Sequence, residues 1–368
     1  MKRIELLDLL RGLAIIGVVF HHLFFAEFRY GLTGIELPAP LTLIASSGWL
    51  GVNLFFFLSG LVLYLPYARG DRDMARWVDV RQFYAHRARR LLPLYYLAAI
   101  VALSTSDLTF GSTDFWRAAA DYAFVLFPFH ASTFMPPGNW VLWSIGVEIW
   151  FSVLFPAVLL AARRYGIWRV LTAALLIAFA TRWWGRALLA DHGARLVLHY
   201  VADSVVGRLD EFVYGMAAAH LYARGWRPTL GAAAAGVAAC ALSLVLWGMW
   251  YRGELPYMAV AALNLPLDAG LVVVTLALLG LVRRPIAIAW PVEALGMMCY
   301  SVYVWHGALL DPFRPALAEN LAYSVPYVTL TLAVAALSYR LVEFRGRAWA
   351  DILPPSPFGR QAGASARS

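Results

Sequence analysis

Apolar residues gather in ten long runs, at about 4–26, 43–67, 91–106, 140–162, 167–189, 204–223, 229–251, 256–282, 290–311 and 322–342. Each run is close to the ~20 residues that cross a bilayer as a helix. A lone open strand cannot satisfy its backbone in hydrocarbon, so every run predicts a helix. The pattern therefore predicts an all-α, polytopic membrane bundle of about ten transmembrane helices, with one domain over residues 1–347. Residues 107–139 break the pattern. They are long, aromatic and Pro-containing, and predict an outer re-entrant or interfacial segment. The end of the chain, 348–368, is rich in Pro, Ser, Gly and Arg and predicts a disordered cytoplasmic tail. No repeat of fixed period is visible.

Composition agrees with this reading. The chain of 368 residues is 61% hydrophobic and 14% charged, against about 45–50% and about 25% in soluble domains. That excludes a soluble enzyme, a secreted disulfide scaffold and a disordered protein. Cys240 and Cys299 both lie in apolar runs and make neither a CxxC pair nor a metal-ligand set.

The net charge is +8, and Lys2 is the single lysine among 30 basic residues. Such a balance in a soluble protein would suggest nucleic acid; here the positive-inside rule accounts for it, and no nucleic-acid partner is expected. With the N-terminus inside, the inner side collects Lys2, Arg3, the group Arg69, Arg72, Arg76, Arg81, Arg87, Arg89 and Arg90, and later Arg163/Arg164, Arg224/Arg227, Arg283/Arg284 and Arg345/Arg347. The orientation is N-in and C-in, in a cell's inner (cytoplasmic) membrane. Lys2 and Arg3 precede an apolar run, but Arg11 interrupts it and His21-His22 closes it, so a retained first helix is expected rather than a signal peptide.

Polar residues inside apolar runs are expensive and carry the chemical information. The first run holds Asp8, Arg11, His21 and His22. On an ideal helix Arg11 and His22 lie within ~20° of one another around the axis and ~16 Å apart along it. One face thus carries Asp8, Arg11 and His22. The plainer reading is an Asp–Arg pair with an interfacial His; the chemical one is a buried base. The second run holds Asn53 and Ser59, with Gly48, Gly51 and Gly60 allowing close helix contact. Arg87 and Arg90 share a helix face at the inner side and suit phosphate, whether of a ligand or of lipid headgroups. Glu148 sits nine residues into the fourth run, between Trp143 and Trp150, with Asn139 at its mouth. A buried carboxylate must pair or become neutral; beside a His it can orient the ring for base catalysis. Arg208, Asp210 and Glu211 cluster at the start of one run, and Tyr300, Ser301, Tyr303 and His306 share another. His306 reads either as a cavity residue or as an interfacial one. Glu343 reads as a neighbour of Arg340 and Arg345. No HExxH, GxSxG, Walker or dinucleotide-binding motif occurs, and no metal site is expected.

Taken in order, these stretches resemble the integral-membrane acyltransferase-3 family. Leu7-Asp8-Leu9-Leu10-Arg11-Gly12 followed by His21-His22 resembles the family's LDxLRG…HH element. Gly51 to Gly60 resembles GVDLFFxLSG, with Asn53 where Asp is usual. Arg87 and Arg90 before Pro93 resemble RxxR. Trp143-Ser144-Ile145-Gly146-Val147-Glu148 resembles WSLxxE, and Arg208, Asp210 and Gly215 resemble R-x-D…G. Cys299 to Gly307 resembles SYSxYLWHG. Glu343 resembles the closing E-x-P, although Phe344 and Arg345 break its Pro. The resemblance runs over roughly residues 5–347.

The resemblance implies acyl transfer from acyl-CoA, usually acetyl-CoA, to a hydroxyl, often on a lipid-linked or surface sugar. His22 then matches the catalytic His, as base or transient acyl carrier. Arg11 is its helix partner, Glu148 a functional carboxylate, and Arg87 and Arg90 the donor-side motif. Asp8, His21, Asn53, Ser59, Asn139, Arg208, Asp210, Tyr300, Ser301, Tyr303 and His306 would support the cavity. No bound cofactor is expected; acetyl-CoA is a co-substrate. The aromatic residues of 107–139, Phe129 and Phe134 among them, read as a sugar-stacking surface or as an interfacial belt. Two other functions fit less well: acylation of a secondary metabolite such as a macrolide, and transport of lipid-linked intermediates, whose paired broken helices are not seen.

Overall fold

The structure is a computed structural model and describes residues 4–26, 47–188, 198–281 and 289–354. Among the described residues there is no strand, and most of them lie in helices. The helices are α1 (Glu5–Phe20), α2 (Gly51–Ala68), α3 (Trp77–Thr105), α4 (Thr113–Phe124), α5 (Leu142–Tyr165), α6 (Ile167–Ala187), α7 (Leu209–Ala223), α8 (Leu230–Tyr251), α9 (Leu265–Leu281), α10 (Trp290–Met297), α11 (Cys299–Glu319), α12 (Ser324–Ser338) and α13 (Trp349–Ile352). Two π-helical turns, His21–Ala26 and Tyr339–Glu343, prolong α1 and α12.

Among the described residues, six helical stretches are long and apolar enough to cross a membrane: Glu5–Leu23, Gly48–Ala68, Leu142–Tyr165, Leu230–Tyr251, Tyr257–Leu281 and Leu321–Glu343. The protein is therefore a multi-pass membrane protein. The expected count of about ten is not reached by this measure. The other runs are helical too, as the C-terminal part of α3, α6, α7 and α10–α11. They are shorter, or carry charges such as Arg182 and Arg186 on α6. Large apolar side chains point outward where a lipid face requires them: Leu230, Val237 and Val245 on α8, and Val325 and Leu337 on α12, are all exposed. In water such a surface would be unstable.

Residues 107–139 contain a helix of their own. Ser112 caps α4 by accepting from the Phe115 N–H at 3.1 Å. The helix buries Ala118, Asp121 and Tyr122 and exposes Trp116 and Phe124. Of the segment assigned to the tail, 349–354 is helical or packed: the Tyr339 hydroxyl donates to the Ile352 carbonyl at 2.8 Å, and Trp290 Nε1 to the Pro354 carbonyl at 3.0 Å. The rest of the tail, Arg29 and the Arg283/Arg284 pair lie outside the described residues.

The chain divides into two compact units. The first is Met1–Leu54, Arg90–Ser104 and Val282–Ser368; the second is Phe55–Arg89 and Thr105–Leu281. Glycines set the close contacts inside each. In the first unit a Cβ on Gly12 would lie 2.0 Å from the Val292 carbonyl oxygen, and one on Gly296 would lie 1.7 Å from that of Asp8. α1 and α10 thus touch backbone to backbone. Gly48 meets Gly17, and Gly51 meets Ala14, in the same way. In the second unit Gly60 meets Phe212, and Gly215 meets Phe57. These are the small-residue contacts expected between helices in lipid.

A test follows from this packing. Overfilling a tight contact costs about 1–3 kcal/mol or more, and backbone cannot move aside as a flexible side chain does. Gly296→Val is expected to lower the thermal midpoint in detergent sharply. Gly231→Ala, whose Cβ meets nothing within 4 Å, is expected to leave it unchanged. Equal midpoints for the two variants would contradict the packing described.

Candidate active site

Polar side chains cluster inside each of the two units. In the first unit, α1 ends in the π-turn that begins at His21. A π-turn widens the helix by one residue and is common at functional sites. It carries His22, whose Nδ1 lies 2.9 Å from Nε2 of His306 on α11, with the two rings stacked at 5.1 Å. His306 is fully buried, and its Nδ1 lies 2.6 Å from the Tyr303 carbonyl oxygen. A carbonyl only accepts, so His306 Nδ1 carries a proton. In the neutral ring His306 Nε2 is then an acceptor, and His22 Nδ1 must donate to it. The lone pair of His22 therefore sits on Nε2. The ring of His21 meets that of His22 edge-on at 5.2 Å.

The remaining candidates of this unit fall into smaller groups. Arg11 donates to Asp8 at 3.0 Å on the same helix as His22, the pairing that the sequence spacing suggests. Ser301 donates to Glu343 at 2.5 Å, so Glu343 turns to α11 rather than to its own neighbours Arg340 and Arg345. Ser338 links Ser301 to Trp305 Nε1, at 3.2 and 2.9 Å. The Tyr300 hydroxyl donates to the Leu91 carbonyl at 2.7 Å, and Tyr303 supplies its carbonyl to His306. Asn53 is fully buried, and neither end of its carboxamide has a hydrogen-bond partner.

The second unit centres on Glu148 of α5. Arg87 Nη2 donates to Glu148 Oε1 at 2.5 Å, and the Ser59 hydroxyl donates to the same oxygen at 2.6 Å. Arg87 also donates to Ser152, from Nε at 3.0 Å and from Nη2 at 2.8 Å. Arg87 is buried, whereas Arg90, three residues along the same helix, is exposed. The hydrogen bond that orients His22 thus comes from His306, while the Glu148 carboxylate is taken by Arg87 and Ser59.

A charged cage lies elsewhere in this unit, and most of it is not legible in the sequence. Arg182 forms a fork on Asp210 at 2.9 and 2.7 Å and also donates to the carbonyls of Ala261 and Gly207. Arg208 bridges Asp203 and Glu211, at 2.5 and 2.6 Å. Arg186 holds the other oxygen of Asp203 at 3.2 Å. Asn264 donates to Glu211 at 3.4 Å and accepts from Trp247 Nε1 at 2.9 Å. Asp268 is buried with no hydrogen bond to either carboxylate oxygen. Beside the cage, burial and then Arg186 push the His199 imidazole below its usual range. Asn139 is buried at the start of α5. Arg208, Asp210 and Glu211 are legible as a cluster at the start of one run; Arg182, Arg186 and Asp268 are not, being far off in sequence. Among the described residues no group of His, Cys, Asp and Glu could hold a metal ion.

Comparison with known proteins places this arrangement. The chain matches the acyltransferase-3 family, described as an acyltransferase domain, over residues 4–340. The peptidoglycan O-acetyltransferase OatA of Listeria monocytogenes is 23% identical, over 93% of this chain and 55% of that protein. A Staphylococcus aureus (strain COL) protein provisionally named an O-acetyltransferase is 23% identical, over 93% of this chain and 57% of its own length. A protein of Acidianus two-tailed virus, provisionally named an acetyltransferase, is 30% identical over 40% of this chain and 39% of its own length. The chain spans a little over half the length of the two bacterial relatives. No solved structure matches it. With its membrane helices and its motifs in family order, the chain belongs to the acyltransferase-3 family.

Proposed function

We propose that the protein moves an acetyl group from acetyl-CoA to a hydroxyl of a sugar on a surface glycan or glycolipid, in the inner (cytoplasmic) membrane, with His22 as the reacting imidazole. One observation carries this reading: the His22–His306 pair, whose proton positions are set by the Tyr303 carbonyl. That chain of bonds leaves His22 Nε2 as a base or nucleophile. Acyl transfer to a hydroxyl needs such a group.

As base, His22 Nε2 takes the proton of the acceptor hydroxyl while the hydroxyl oxygen attacks the thioester carbonyl. The C–S bond breaks, the ester C–O bond forms, and the proton passes to the departing CoA sulfur. As carrier, Nε2 attacks the thioester carbonyl and the C–S bond breaks to release CoA as the thiolate; the hydroxyl oxygen then takes the acyl group from Nε2, and its proton passes to the CoA sulfur. In both cases His22 becomes transiently cationic, and its Nδ1–H stays bonded to His306 Nε2, which stabilises the charge. Arg11, tied to Asp8, stands on the same helix as His22. Glu148, held by Arg87 and Ser59, shapes the polar interior of the second unit. Arg90, exposed beside the Arg-rich inner loop, is suited to the CoA phosphates, and Arg87 shares that motif while anchoring Glu148. The relatives named O-acetyltransferases support the acetyl group and the hydroxyl acceptor.

The acceptor is tested by offering acetyl-CoA to the purified protein with solubilised peptidoglycan strands, a lipid-linked sugar and a macrolide in turn. Acetylation of a sugar hydroxyl in the first or second mixture is expected. Product only from the macrolide would overturn the acceptor assignment.

A further inference from the structure

The segment between α3 and α5 holds a polar group that the proposed chemistry does not use. Asp121, in the last turn of α4, has a side chain only 4% exposed, whereas that of His130 is 48% exposed. His130 Nδ1 lies 2.8 Å from Asp121 Oδ1, and the Thr133 hydroxyl donates to Asp121 Oδ2 at 2.5 Å. An ionised carboxylate accepts only, so His130 Nδ1 carries the proton, and in the neutral ring Nε2 keeps the lone pair. Nε2 lies across the ring from Asp121, with nearly half of that side chain open to the surroundings. An exposed His needs no such support to stay soluble; a buried Asp held by a Thr fixes its tautomer and its direction.

The scaffold around this ring is rigid. Val125 ends α4 in a left-handed conformation with φ 55°. Its carbonyl accepts from Trp150 Nε1 at 2.7 Å. Phe127 packs so closely on Gly146 that a Cβ there would lie 2.6 Å from its ring. The Tyr122 hydroxyl donates to the Pro137 carbonyl at 2.8 Å. Next to His130, Phe129 sets its ring edge-on to Trp150 at 5.0 Å yet stays 40% exposed. A fixed hydrogen-bond acceptor and a held, half-open aromatic ring on adjacent residues are the two elements a sugar requires, one for a hydroxyl and one for its apolar face.

We propose that His130 and Phe129 form a glycan-binding subsite, in which His130 Nε2 accepts a hydrogen bond from a sugar hydroxyl and the Phe129 ring covers the sugar's apolar face. The proposal rests on the sugar acceptor proposed above. On the N-in orientation this segment follows α3 to the outer side, where a surface glycan lies. Asp121 and Thr133 are positioning residues that act through His130. A polymeric acceptor offers many sugars to such a subsite, so the subsite sets affinity for long strands.

The test is direct binding of solubilised peptidoglycan strands to the purified full chain, read by titration calorimetry without acetyl-CoA. His130→Asn keeps an N–H for Asp121 and removes the group at Nε2; His130→Gln keeps a polar group near Nε2 and releases Asp121. A loss of affinity of fivefold or more is expected in His130→Asn, with its thermal midpoint and its affinity for acetyl-CoA unchanged. Should His130→Asn unfold, the same loss is expected in Phe129→Leu. If the wild type binds no strands, or if folded His130→Asn or Phe129→Leu protein binds as tightly as the wild type, the subsite is overturned. Strands that bind the wild type but are never acetylated would instead count against the proposed acyl transfer and leave the subsite standing.

Discussion

His22→Ala is expected to abolish acyl transfer while leaving a folded protein in the membrane. A positioned base contributes about 10²–10⁴ in rate, and loss of an acyl carrier would cost more. The ring lies in the π-turn at the end of α1, and the tight backbone contacts of α1 are made at Gly12, Ala14 and Gly17. Folding should therefore survive the change. His306→Ala is expected to be intermediate: the base remains, but its Nδ1–H loses its acceptor, and the ring is free to turn. Size-exclusion profiles together with turnover of acetyl-CoA separate the two effects. Folded His22→Ala protein with wild-type turnover would remove His22 from the reaction.

The second large effect is expected at Arg87, and it differs in kind from that at Arg90. Arg87 and Glu148 have side chains 10% and 18% exposed. Removing one partner of a nearly buried pair costs about 3–5 kcal/mol, because the other charge is stranded. Arg87→Ala should thus lose folded yield as well as activity. Adding Glu148→Gln should recover part of the stability, since the two residues are coupled. Arg90→Ala should fold normally and raise KM for acetyl-CoA, since an exposed guanidinium adds little to stability. Identical stability of the two single variants would contradict the separate roles given to them. Unchanged acetyl-CoA affinity in Arg90→Ala would remove the phosphate contact.

What the sequence reveals and what it hides follow from how far apart the partners lie. The Asp8–Arg11 pair is one helical turn long and is legible. So are Gly48, Gly51 and Gly60, small residues that suit close helix contact. The partner of His22 is 284 residues away, and nothing local marks it; His306 reads as well as an interfacial residue. Hydropathy also counts every Arg as a bare charge. Arg182, Arg186 and Arg208 are neutralised by Asp210, Asp203 and Glu211 inside the fold. That pairing lets polar helices such as α6 and α7 pack in the bundle. It also hides a charged interior behind what looks like a scatter of topology-setting arginines. Asn53 stands where an Asp is usual in the family pattern, and its unpartnered carboxamide leaves its purpose unexplained by the fold.

The central claim is that acetyl-CoA is consumed at His22 to make an ester. It is tested most directly by incubating purified protein with acetyl-labelled acetyl-CoA and glycan strands, measuring released CoA and the labelled product by mass. The account predicts one labelled O-acetyl ester for each CoA released, and neither from His22→Ala. A labelled ester formed equally well by His22→Ala, or glycan carried across vesicles with no acetyl-CoA present and no ester made, would contradict it.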